Sequence, residues 1–419
     1  MPDLPDVTAL INFDAAPGVT NYFHLNDPVY GLLDDNPLSA GDVWADVTPY
    51  LVSCSSTRGA NNSNDPVPQW DAGEGTALLR NDDRRFDPTN LAGPYVEAGV
   101  TTQVVPRRIF KWLAFWNGVT YPLCTGFIKW RYGYEGPQSA TATLQLADAF
   151  SILSTPQGTT APVGAGETST ARVNRILDTA GWSAADRDVA GGAVTMQATT
   201  FGNNALSDLQ VVNDSELGEL YVNGDGDVVF RGRSDILTRT RSTVSQGIFG
   251  SDVANGELPY VDVEISYDGP RATAVYATRV GGVEQVASVY DKYPVGYSKD
   301  GLMLQTDAAT AGWARRVMGM SKDPSLRFSS ITIDPRANPD ALFPQVLGRQ
   351  IGDRITIRRR PPGGGAVIEQ DVFIRGISHE YGPGRRWLTT WTLGPTVAAT
   401  FLILDDPVQG RLDDYKLSY

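Results

Sequence analysis

Histidine is the side chain most often used for proton transfer, and this chain has two, His24 and His379. His24 stands in an Asp/Asn/Pro-rich N-terminal stretch, and His379 alternates with Ile377 and Tyr381 in a strand pattern, so both are expected to be structural. Cys54 and Cys124 are the only thiols. Two cysteines are too few for a disulfide framework or a structural zinc site, and both are expected to be unpaired and partly buried. Asn223-Gly-Asp225-Gly-Asp227 opens like a calcium loop, but its sixth position is Val228 rather than Gly and its twelfth is Ser234 rather than Glu. A hairpin turn is expected there instead. Gly363-Gly-Gly365 lacks the Lys-Ser/Thr of a phosphate loop and sits where a hairpin loop belongs; no GxSxG or HExxH motif occurs. Carboxylates are plentiful, yet nothing in their pattern singles out the spaced pair that a glycosidase needs. Trp112, Trp116, Trp130, Tyr132 and Tyr134 could form a sugar platform, but aromatics at period two in strands belong more often to cores and interfaces. The chain therefore reads as non-enzymatic: no catalytic, cofactor-binding or metal residue is nominated, and no cofactor is expected.

The elements that would position side chains are easier to read. Arg107 to Asp148 and Asp353 to Pro395 repeat one order of parts: an alternating strand, a Gly-containing turn, a strand running through Gly126 or Gly376, a Gly-Pro turn and a last strand. Period-two alternation with such punctuation means antiparallel strands with one buried face. The fold class expected is mainly β with a small α+β part: two related tube-type β-barrels with middle domains inserted between them. The domains expected are an extended arm over 1–40, a first barrel over 41–150, an α+β domain over 151–240, a β domain over 241–300, a helix plus second barrel over 301–397, and a C-terminal arm over 398–419. Phe86, in the turn Asn81 to Pro88, is expected to seal a barrel end. The helices expected carry Val173, Ile176, Leu177 and Ala180 on one face, span Leu206 to Leu217, and carry Ala309, Trp313, Val317 and Met320 behind an Asp307 cap. A hairpin is expected at 219–230, and a separate all-β module from the strands at 261–265, 274–278 and 283–289.

At 419 residues the chain has length for about three domains. Its 35 Lys and Arg against 48 Asp and Glu leave a net charge of −13, which disfavours a surface that grips nucleic acid by neutralising phosphates. It is compatible with a lumen that nucleic acid must pass without sticking. MPDLPDVTAL has no basic region followed by a long apolar one, and no apolar run approaches a membrane span, so a soluble product made in a cytoplasm is expected. The two ends of the chain also echo one another. Leu25 to Ser39 aligns without gaps to Leu404 to Ser418, with ten of fifteen residues identical. Such a piece is too short to fold alone and must dock on something, with Leu25, Val29, Leu33 and Leu404, Val408, Leu412 buried.

The turn Arg84-Arg-Phe86-Asp-Pro88, the strand Gly126-Phe-Ile-Lys-Trp130, the segment Ser215-Glu-Leu-Gly218-Glu-Leu-Tyr221 leading to Gly226-Asp-Val-Val-Phe230, and the strand Gly376-Ile-Ser-His379 occur in this order. In that order the chain resembles the minor tail proteins of actinobacteriophages with long non-contractile tails, and more remotely the phage baseplate hub and tail-associated family. The resemblance implies a structural homotrimer at the tail tip in which two barrels per subunit make a pseudo-sixfold ring. It implies contacts with the distal tail protein, the tape-measure protein and other tail-tip or fibre proteins, with DNA passing through the lumen unbound. It also implies assembly in the host cytoplasm into a virion. The chain runs only a short way past the second barrel, so wall cleavage and host recognition are not expected of it. A carbohydrate-binding tail adhesin using the aromatics of 107–134 is the alternative.

Overall fold

The computed structural model describes residues 4–13, 44–60, 65–97, 101–134, 140–156, 162–202, 204–268 and 271–396. Alternation decides the first strands. In β1 (Asp6–Asn12) Ala9 and Ile11 point into the core, and β1 pairs along its whole length with β5 (Ile109–Trp116). Between them in the chain come β2 (Trp44–Asp46), β3 (Leu51–Gly59) and β4 (Asp71–Arg80); β6 (Val119–Tyr134) and β7 (Ala140–Ala147) follow. Asn117 and Gly118 both take positive φ between β5 and β6, the two-residue turn that an Asn-Gly pair favours. Phe86 is fully buried and stacks on Tyr95 and Trp130.

The middle of the chain is α+β. Helix α1 (Ser169–Thr179) starts at Thr168, whose hydroxyl accepts from Ala171 N, and buries Val173, Ile176 and Leu177. Strand β8 (Arg187–Ala190) is followed by α2 (Ala205–Glu216), capped by Asn204, and then by the hairpin β9 (Glu219–Val222) and β10 (Val228–Arg231). Asn223 Oδ1 accepts from Gly226 N (3.0 Å) and Asp227 N (2.9 Å), so the calcium-like sequence is the hairpin turn.

Next come β11 (Ile248–Phe249), β12 (Asp262–Asp268), β13 (Ala274–Arg279), β14 (Gln285–Ser288), β15 (Gly296–Leu302) and α3 (Asp307–Ser321). The chain continues through β16 (Ser325–Ile333), α4 (Pro339–Gly348), β17 (Arg354–Arg359), β18 (Ile368–Gly382) and β19 (Arg386–Pro395). Thirteen strands join one sheet in the order β12-β16-β19-β18-β3-β4-β7-β6-β5-β1-β2, with β17 and β11 branching from β18. The molecule is mostly β around this large antiparallel sheet.

The internal repetition is a repetition of connectivity. The first half of the sheet runs β5-β6-β7-β4-β3, and the second runs β17-β18-β19-β16-β12, every pairing antiparallel. One local detail is also duplicated. Arg107 N donates to Ile128 O and Ile128 N to Arg108 O; Gly352 N donates to Ile374 O and Ile374 N to Asp353 O. Arg107 and Gly352, the equivalent corners, both have positive φ, 68° and 84°. Between the halves lies an aromatic core in which Trp112 meets Trp387 at 5.8 Å, Trp116 meets Phe343 at 5.0 Å, and Phe343 meets Trp387 edge-on.

Four expectations need correction. Residues 6–12, read as part of an arm, are a full strand, because the alternation of Val7 to Phe13 gives β5 an apolar neighbour. Strand β12 does not join β13 and β14 in a separate module; it pairs with β16, placing Val263 and Ile265 against the main core. Helix α3 packs on β13 and β14 rather than on the second half of the sheet, and it buries Thr310, Trp313, Ala314 and Val317, leaving Ala309 exposed. Its cap is Thr306, while Asp307 is the first helical residue and pairs with Arg279. His24 and the repeated pieces 25–39 and 404–418 lie outside the described residues.

Candidate functional site: a polar face across the sheet

Among the described residues, the histidine and the two thiols are sealed away. His379 is buried, with Nδ1 3.0 Å from Thr389 Oγ1; burial, helped by the Arg58 charge, pushes its pKa down to about 3 and keeps it neutral. Burial raises the Cys54 thiol, with Cys124 adding to the effect, and pushes Cys124 up to about 12, so neither is a thiolate. Trp112 and Trp116 are in the core and Trp130 is half-buried with its indole N–H on Val105 O, so the aromatics do not form an open platform. The side chain of Tyr134 lies outside the described residues. Gly363, Gly364 and Gly365 have positive φ in the loop between β17 and β18, as expected of a hairpin loop.

What the sheet offers is one of its faces. Because successive residues of a strand point to opposite sides, the apolar positions form the core and the residues between them line the other side. The strand register carries one row across six strands: Asp262, Thr332, Thr390, Ser378, Thr57 and Glu74. A second row runs through Glu380, Ser55, Thr76, Gln145 and Lys129. These rows cross the junction between the halves without a break. Hydroxyls tie neighbouring strands on this side: Thr57 Oγ1 donates to Ser378 Oγ (3.2 Å), and Thr332 and Thr390 share a bond of 3.0 Å. An open groove of about 420 Å³ lies on the first half, lined by Ser55, Thr57, Glu74, Thr76, Lys129 and Gln145.

The electrostatics of the rows lean acidic. With Glu264 and Arg131 beside them, they hold four carboxylates (Glu74, Asp262, Glu264, Glu380) and two cations (Lys129, Arg131). Such a surface presents hydroxyls and carboxylates to a polyanion and does not concentrate it. No single residue here was nominated from sequence. The signal lay in alternation itself, in Thr141, Thr143 and Gln145 or Thr390 and Thr392, where small polar residues recur at every second position.

No family model matches the chain, and no curated protein matches it. Solved structures do. A tail protein from Neisseria meningitidis MC58 superposes with a TM-score of 0.56 at 13% identity, covering 84% of this chain and 93% of that one. The chain shares its fold. A 43 kDa tail protein of prophage MuSo2 from Shewanella oneidensis gives a TM-score of 0.52, again at 13% identity, over 85% of this chain and 95% of that one. Each likeness spans more than four-fifths of the chain. No helix among the described residues is long and apolar enough to cross a membrane.

Proposed function

We propose that the chain is a structural, non-enzymatic hub of a phage tail tip, in which three copies form a pseudo-sixfold ring between the tail tube and the tip. The observation that carries this reading is the duplicated strand order. Two halves of identical connectivity stand side by side in one sheet and share one polar face, as a ring with twice as many building blocks as chains requires. The fold shared with tail proteins supports the tail setting, and the resemblance to actinobacteriophage minor tail proteins supports a long non-contractile tail. In this reading the polar rows line the lumen and DNA passes them during ejection without being held. The distal tail protein, the tape-measure protein and further tip or fibre proteins are its neighbours in the virion, which is assembled in the host cytoplasm. Nothing favours the adhesin alternative, because the Trp112 and Trp116 it would need are core residues.

Light scattering on the purified chain, with electron microscopy of the particles, tests the reading. A three-chain ring with an open centre supports it; a monomer at all concentrations, or a ring of another order, rejects it. Turnover of purified cell wall, abolished by one Asp or Glu substitution, would replace it with a hydrolase.

A further inference from the structure

We propose that strand β12 of one copy pairs antiparallel with Lys129–Tyr134, the distal part of β6, of a second copy, in the register of a seam that the chain already contains. The inference rests on the ring reading and names the contact that would close it. Within one chain, β3 of the first half lies against β18 of the second, with Cys54 opposite Tyr381, Ser56 opposite His379, Thr57 opposite Ser378 and Arg58 opposite Ile377. The duplicated connectivity carries this seam onto two other edges. Cys54 faces Ala77, which faces Leu144; Val263 faces Ile331, which faces Trp391. Trp130 lies opposite Leu144, and Ile377 opposite Trp391. Val263 in β12 is therefore the counterpart of Cys54 in β3, and Trp130 in β6 is the counterpart of Ile377 in β18.

Transferring the seam residue by residue sets Ile265 opposite Tyr132, Ser266 opposite Arg131 and Tyr267 opposite Trp130. Among the described residues, β16 is the one strand that pairs with β12, and β7 is the one strand that pairs with Lys129–Tyr134. A seven-residue strand at the end of a sheet is a template for another strand. The side chains give the same answer. Arg58 is buried in the internal seam, whereas its counterpart Tyr267 is 74% exposed, and the proposed contact covers it with Trp130. Charges match as well. Glu264 on β12 and Lys129 and Arg131 on β6 lie on the polar face and have no ion-pair partner among the described residues. In this register Arg131 stands one diagonal from Glu264, so opposite charges meet across the contact. Each copy offers one β12 edge and one β6 edge, so the contact is head-to-tail and generates a ring when its rotation closes.

The test is disulfide trapping in the full chain. Ser266→Cys combined with Arg131→Cys should give, on oxidation, covalent dimers and trimers on a non-reducing gel. Ser266→Cys with Tyr132→Cys, which places the two thiols on opposite faces, should give none. Trimers by light scattering that cannot be trapped through the first pair would overturn the seam and leave the ring reading standing; monomers would overturn both. Should the cysteine variants misfold, hydrogen exchange on the unaltered chain decides. Amides of 263–267 and 130–134 should slow by about tenfold or more in the assembled form relative to the dilute monomer. Unchanged exchange in both segments of the assembled form overturns the seam.

Discussion

His379 sits edge-on to Trp112 and Trp387, and its low folded-state pKa has a definite consequence for stability. The unfolded chain takes up a proton near pH 6.5 that the folded chain refuses down to about 3. The contribution of this residue is complete above about pH 6.5 and falls as pH drops, by up to about 1.4 kcal/mol per pH unit. Asp148 has the opposite sign. Burial raises its carboxyl to about 7 even though it accepts from Gly73 N and Phe150 N, so its contribution is full below about pH 4 and declines as pH climbs toward 7. Urea titrations from pH 4 to 8 should show His379→Gln with a flatter acid limb than the parent. Asp148→Asn, which keeps an oxygen for the cap, should compare better with the parent at pH 8 than at pH 5. Parallel curves for parent and variants would mean that neither group titrates as its surroundings dictate.

Among the elements, the junction of β3 with β18 has a close backbone approach. Gly59 has φ +93°, and a Cβ there would lie 2.4 Å from Arg375 O and 2.7 Å from Ile351 Cδ1. Gly59→Ala must strain the backbone and push the two strands apart, and a loss of about 3 kcal/mol or more is expected from chemical denaturation. Gly118, with φ +82° but nothing within 4 Å of the added Cβ, provides the contrast: Gly118→Ala should cost about 1 kcal/mol, from conformation alone. Equal losses at the two sites would show that the junction yields. The element patterns were legible in the chain wherever a strand buries one face, as in Arg386–Pro395 or Ile109–Trp116. Partnership was not legible. Val261, Val263 and Ile265 announce a strand, but whether β12 pairs with β13 or with β16 depends on the distant residues Ser325 to Thr332, which local periodicity does not reach.

For the whole molecule, the polar face and the chain ends carry the tests. Ser55→Lys, Thr76→Lys and Gln145→Lys together put three cations into the groove. Each site is on the solvent side of the sheet, so the change in stability should be within about 0.5 kcal/mol per substitution. If the face lines a conduit, the triple variant should retain DNA in a binding assay, with an affinity that falls steeply with salt, and particles carrying it should eject slowly. Ejection at the parental rate by particles that contain the variant would remove this face from the DNA path. Deletion of 397–419 removes one of the two repeated pieces and leaves β19 whole. The shortened chain should fold and form the same oligomer by light scattering yet enter tails poorly, and normal tail assembly would show that the C-terminal piece is dispensable.

The sequence by itself determined the β character, the two matching halves, the α+β insertion and the absence of any motif for catalysis. These follow from period, turn chemistry and residue type, all of which act over a few neighbours. It also determined that His379 alternates inward, since Ile377 and Tyr381 share its parity. Only the tertiary structure decided that the halves fuse through β3 and β18, that β12 and β1 belong to the same sheet, and that polar residues from eight strands form a single face. Each of these depends on which strand lies beside which, and strand pairing is settled by packing between residues far apart in the chain, about which alternation along one strand carries no information.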